Sequence, residues 1–147
     1  CSCTPYQAKQ YLSKISKPLL DRIDIHVPVR QVCFNSEKSN ETSSIIRERV
    51  IAAREKQKKR FAGTDIHLNG KMTGKQIREY CHITTECELL LKSAAELAES
   101  SMRGYEKFIK IGRTIADLDG RENINEEDIA EALQYRFLDS FRPEVAV

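Results

Sequence analysis

No stretch of this 147-residue sequence approaches the roughly 20 apolar residues a membrane-spanning helix needs, and its first residues lack the basic-then-apolar order of a signal peptide. It reads as a soluble, cytoplasmic chain. Neither sign of charge dominates, with 24 Lys and Arg against 22 Asp and Glu, so bulk charge alone does not make it a polyanion-coating protein. Cysteine is sparse: Cys1, Cys3, Cys33, Cys81 and Cys87 are odd in number and too few for a secreted disulfide scaffold, which favours reduced thiols or metal ligands. The sequence has no G-x-x-x-x-G-K-[ST] phosphate loop, no H-E-x-x-H zinc helix and no G-x-S-x-G elbow. His26, His67 and His82 form no recognisable set with a cysteine and an asparagine. A self-contained active site is not expected.

What remains is a balance of 40% hydrophobic and 31% charged residues, that of one globular domain rather than a disordered chain. Residues 4–16 space Tyr6, Tyr11, Leu12 and Ile15 as a short helix, with Thr4 as cap and Pro5 at the permitted first position. Pro18 interrupts it. Ile23, Ile25, Val27 and Val29 then alternate with polar residues and Pro28, which predicts one strand ending near Pro28 or lying at an edge. No partner strand follows. This orphan strand, together with a first residue, Cys1, already inside a patterned segment, reads as part of a longer sequence.

Residues 35–43, NSEKSNETS, read as a linker. Beyond it the pattern is helical. Residues 43–61 place Ile46, Val50 and Ala53 on one face; Thr73 with Gln76 and Thr85 with Glu88 fit capping boxes, predicting helix starts near 74 and 86. The segment 89–98 is apolar around much of its circumference and is expected to sit centrally. Ser101 caps a helix whose Tyr105, Phe108, Ile109, Ile111, Ile115 and Leu118 form the widest apolar stripe, and Asp119-Gly120 stops it. Asn125 caps the last helix, Glu126 to Phe137, with three acidic residues in its first turn. A bundle of four or five helices accounts for residues 43–140.

Three features carry candidate chemistry, each with a plainer alternative. In Leu19-Leu20-Asp21-Arg22-Ile23-Asp24 an arginine flanked by carboxylates stands on the turn entering the strand; a surface salt-bridge cluster would look the same. Ser101-Met102-Arg103 puts a guanidinium in the first turn of a helix, where the dipole disfavours a cation, so Arg103 either reaches a distant carboxylate or serves an anion held there. Cys1-x-Cys3 offers two thiolates, half of the four ligands a structural zinc site requires. Between Arg47 and Arg60 the cations at 47, 49, 54, 56, 58, 59 and 60 outnumber Glu48 and Glu55 without interleaved aromatics, which suits a solvated helix face better than a phosphate-tracking patch.

Three blocks, KISKPLLDRIDIHV (14–27), SMRGYEKFIKIGRTIADLDG (101–120) and INEEDIAEALQYRFLD (124–139), resemble the C-terminal portion of the magnesium-chelatase-like AAA+ ATPases of the ComM competence-protein type. The resemblance covers essentially the whole chain, with the blocks in the family's order. It implies a mainly α architecture: residues 1–40 as the end of an AAA+ core (helix, arginine-finger turn, last strand) and residues 41–147 as the helical lid. It implies that Arg22 is an arginine finger acting in trans on ATP bound by the neighbouring subunit, and that Arg103 is the sensor 2 residue at the ATP phosphates. Cys1 and Cys3 match the second half of a four-cysteine zinc site. ATP and Mg2+, and Zn2+ at that site, belong to the longer protein of this type, as do a ring of copies of the hexamer kind, DNA as substrate and a helicase or branch-migration activity. The sequence departs from the family pattern at Lys17, Gly104 and Lys107 and in the Val-Pro-Val-Arg stretch after His26, none of which includes Arg22 or Arg103. Without the resemblance, the same residues describe a stand-alone helical module for binding protein or DNA.

Overall fold

The computed structural model describes residues 4–29, 41–97 and 101–136. Cys1, Cys3, most of the expected linker and the end of the expected last helix lie outside the described residues. Among the described residues seven α-helices follow one another: α1 (Pro5–Leu12), α2 (Lys17–Leu20), α3 (Ser43–Arg60), α4 (Gly74–Tyr80), α5 (Thr85–Leu97), α6 (Met102–Leu118) and α7 (Glu126–Gln134), with a 3-10 turn at Asn69–Lys71. The expected bundle is present as α3 to α7. No helix among the described residues is long and apolar enough to cross a membrane.

Local chemistry sets most helix ends. At α1 the cap is reciprocal: Thr4 Oγ1 accepts from the Gln7 N–H at 3.3 Å, and Gln7 Oε1 accepts from the Thr4 N–H at 2.8 Å. Thr42 and Ser101 cap α3 and α6 by accepting from the Ile45 and Gly104 amides. Gln76 reaches back to the Thr73 N–H at 2.8 Å, and Asn125 and Asp128 exchange two bonds of 2.9 Å. The start of α5 differs from expectation by one residue. Its cap is Thr84, whose Oγ1 accepts from the Cys87 N–H, because the hydroxyl one place earlier already reaches the orphan amide. After α6, Gly120 takes φ +82°, and the Arg121 N–H bonds to Ala116 O at 2.8 Å while the Gly120 N–H bonds to Asp117 O at 3.2 Å. That pair of bonds is a Schellman stop, which needs a residue at ease in the left-handed region.

The centre of the bundle is α6, which packs against α3, α4, α5, α7 and the 3-10 turn. Phe108 and Ile109 join Phe61, Met72, Ile77, Cys81, Cys87, Leu91, Ile124 and Ile129 in the main core. Ile111 and Ile115 form a second cluster with Ala132. The expectation that 89–98 sits centrally is not met: Leu91 is buried, but Leu89 is 60% exposed. An apolar circumference does not place a helix in the middle when a stronger stripe on α6 takes that position. On α3, Ala53 is buried, but Ile46 and Val50 are exposed, so the first half of the helix extends beyond the core.

Residues 23–29 correct a second expectation. They do not form a strand, and none occurs among the described residues. Ile23, Ile25, Val27 and Val29 are all exposed, while His26, on the opposite parity, is buried and its N–H bonds to Tyr135 O at 2.6 Å. Period-two alternation becomes a strand only where a neighbouring chain accepts its amides. Here the segment rests on the end of α7 instead.

Candidate functional site

Arg22 stands on the turn after α2, formed by bonds from the Arg22 N–H to Leu19 O and from the Ile23 N–H to Leu20 O. Its side chain is exposed, and among the described residues its one hydrogen bond is a long one, Nη1 to Pro18 O at 3.4 Å. The flanking carboxylates do not pair with it. Asp24 Oδ1 lies 2.8 Å from Lys107 Nζ, and Asp21 Oδ1 lies 4.0 Å from Arg136 Nη2. A salt-bridge cluster exists at this turn, but its cations come from α6 and the end of α7. Arg22 is left pointing outward.

The backbone of the turn is gripped by the same two cations. Lys107 Nζ donates to Asp21 O, with Ile23 O at 3.4 Å, and Arg136 Nη1 donates to Ile23 O at 2.9 Å. Lys107 and Arg136 are both buried, and the Arg136 guanidinium lies 5.8 Å from the Phe108 ring centre. Sequence reading missed them because a lone Lys and a lone Arg on amphipathic helices look like ordinary surface charges; a basic residue on the apolar face of α6 was the available signal.

Arg103 occupies the first turn of α6, exposed and without a hydrogen bond or ion pair to any described residue. No described carboxylate takes it up. Both candidate arginines are therefore solvent-facing guanidiniums, always charged, with geometry suited to anionic oxygens. Cys1 and Cys3 lie outside the described residues. Among the described residues no group of three or more His, Cys, Asp or Glu is placed to hold a metal.

A second charged constellation is structural. Asp117 is fully buried and accepts from Arg60 Nη1 and Nη2 at 2.8 and 2.5 Å and from Asn69 Nδ2 at 2.8 Å, with Arg113 Nη2 at 3.1 Å. Burial pushes its pKa up, but the bonds from Arg60 and Asn69 and the charge of Arg113 prevail and hold the carboxyl below its ordinary value. Arg113 also donates to Glu122 O and Arg121 O, tying α6 to the loop before α7. This network removes Arg60 from the basic stretch of α3. Arg49 pairs with Glu41, Lys56 bonds to Gly120 O and Lys58 lies 3.9 Å from Glu55, which leaves Arg47, Arg54 and Lys59 as exposed cations without an ion pair to a described residue.

The family described as magnesium chelatase, subunit ChlI C-terminal, matches residues 40–136, and that described as magnesium chelatase, subunit ChlI, matches residues 1–37. The chain is 33% identical over 141 residues to the Escherichia coli K12 protein named uncharacterized protein YifB, covering 93% of this chain and 27% of that protein. It is 34% identical over 137 residues to competence protein ComM of Haemophilus influenzae, covering 90% of this chain and 26% of that protein. It spans about a quarter of the length of the curated relatives it matches.

Proposed function

This chain belongs to the magnesium chelatase subunit ChlI family, and from that premise we propose that it is the lid and arginine-finger portion of a ring-forming AAA+ ATPase that couples ATP hydrolysis to remodelling or translocation of DNA. The observation that carries the reading is the state of Arg22: an exposed guanidinium paired with neither neighbouring carboxylate, Asp24 being bound by Lys107 at 2.8 Å and Asp21 lying 4.0 Å from Arg136. An arginine so freed is available to an anion from outside the chain.

Bound ATP would supply the γ-phosphoryl group, whose oxygens accumulate charge as it leaves. Arg22 would present its guanidinium to those oxygens from the neighbouring subunit, a contribution of about 10³ to 10⁵ in rate for such fingers. Arg103, at the start of α6, would hold phosphate oxygens where the helix dipole also favours negative charge. Both side chains fit phosphate. Mg2+ would accompany the ATP phosphates in the longer protein, held by one or two carboxylates together with phosphate oxygens. Cys1 and Cys3 are proposed as two of four zinc ligands there. The DNA arm is supported by the exposed cations of α3.

A helical interaction module without catalysis is the second reading, favoured by the uncovered Ile45, Ile46, Val50 and Ile51 on α3. ATP turnover by the full-length protein separates the two. Arg22→Ala and Arg103→Ala should each lower it about tenfold or more if the arginines act on phosphate, with nucleotide binding largely intact for Arg22→Ala. Wild-type turnover in both variants would leave the interaction module.

A further inference from the structure

The turn bearing Arg22 and the helix bearing Arg103 are joined by unusual fastenings. Two buried cations from one side of the bundle converge on two backbone oxygens and two carboxylates of a single turn: Lys107 on Asp21 O, Ile23 O and Asp24, and Arg136 on Ile23 O and Asp21. The His26 N–H bond to Tyr135 O adds a third tether just beyond. Burying a lysine and an arginine is costly unless each is well bonded, and here each donates to a backbone oxygen of the same turn. Lys107 also lies one helical turn after Arg103 on α6.

We propose that Lys107 and Arg136 are positioning residues for the finger. Lys107 fixes the Arg22 turn to the helix that begins with Arg103, and Arg136, just after α7 and beside Phe108 of that helix, fixes it from the other side, so that both arginines travel as one rigid unit; Lys107 also holds Asp24 away from Arg22. Without them the turn loosens, and either carboxylate is free to neutralise the guanidinium beside it. The inference rests on the finger reading given above for its catalytic consequence, but the tethering stands on the contacts themselves.

The test uses the full-length protein with Lys107→Met, which keeps the length of the stem but removes the donors, alone and combined with Arg136→Gln. Hydrogen exchange of the amides in residues 19–26 should speed up about tenfold or more, as expected when a local opening loses its tethers. Lys107→Arg, which can still donate to both oxygens, should exchange like the wild type. Turnover should fall about tenfold with KM for ATP little changed, since the defect lies in transition-state contact. Adding Lys107→Met subunits to P-loop-defective subunits should restore turnover, because an intact P-loop then meets an intact finger across an interface. A merely unfolded variant would not be rescued in this way.

Wild-type exchange rates in the double variant, or no restoration on mixing, overturn the proposal. Arg22→Ala is run alongside. Wild-type turnover in Arg22→Ala overturns the finger assignment, and with it the catalytic role of the clamp. Lost turnover in Arg22→Ala with wild-type turnover in the Lys107 and Arg136 variants overturns the clamp alone.

Discussion

Arg60, at the last residue of α3, grips Asp117, near the end of α6, with both terminal nitrogens at 2.8 and 2.5 Å. Asp117 sits between this arginine and Arg113, so one carboxylate serves two guanidiniums, one of them fully buried. Asp117→Asn should therefore destabilise the fold by about 3–5 kcal/mol, the range for removing one partner of a buried pair, since it leaves two cations facing each other. Urea denaturation measures it. A loss below about 0.5 kcal/mol, the usual scale of a surface site, would show that the network is dispensable.

The same carboxylate should leave a mark on the pH dependence. Its folded pKa is below the ordinary 3.8, so the unfolded chain binds more protons in the interval between the two values, and stability rises with pH there. The contribution is present above the unfolded value and lost as pH falls through the folded one. Thermal melts from pH 6 down to pH 2 should fall more steeply below about pH 4 for the wild type than for Asp117→Asn. Parallel profiles would count against the assignment.

Gly112 lies where α6 meets α7, and a Cβ there would come within 2.9 Å of Ile129 Cδ1 and 3.6 Å of Asp128 O. Alanine gains about 1 kcal/mol of helix propensity over glycine, but overpacking a closed contact typically costs about 1–3 kcal/mol. Ile129 is fully buried and has little room to yield, so Gly112→Ala should lower the melting temperature. A raised melting temperature would mean that α7 shifts freely.

Cys81 and Cys87 are buried free thiols, and burial pushes Cys81 up to about 11. The thiolate is the reactive form. Alkylation at pH 8 should therefore modify neither residue in the folded protein and both in denaturant, as read by peptide mass spectrometry. Labelling of Cys81 at the rate of an exposed thiol would show that the core around Met72 opens readily.

Arg22→Ala and Arg103→Ala should leave the stability of the 147-residue chain within about ±0.5 kcal/mol, because both side chains are exposed and neither closes an ion pair with a described residue. The chain alone, lacking a phosphate loop in its sequence, should show no ATP turnover above a buffer blank. Unfolding caused by Arg22→Ala would instead assign that residue to the fold.

Much of the helix pattern was legible in the sequence because helix ends are decided within a few residues. Thr4 with Gln7, Ser101 with Gly104, Asn125 with Asp128 and the glycine at 120 each act on amides or dihedrals beside them, and the stripe of α6 is a property of one segment. The two candidate arginines were also visible, one through its flanking acids and the other through its misplaced charge at a helix start.

Tertiary structure decided the rest, because those outcomes depend on which distant groups meet. Alternation in residues 23–29 could not make a strand without a partner, and the buried position went to His26 against Tyr135. Arg60 found Asp117 across 57 positions, and Lys107 found Asp21 across 86. A charged side chain carries no local sign of whether it will face water or a backbone oxygen brought to it by another element. Folding chose Lys107 and Arg136 over Arg22 as the partners of Asp24 and Asp21, and so left Arg22 outward.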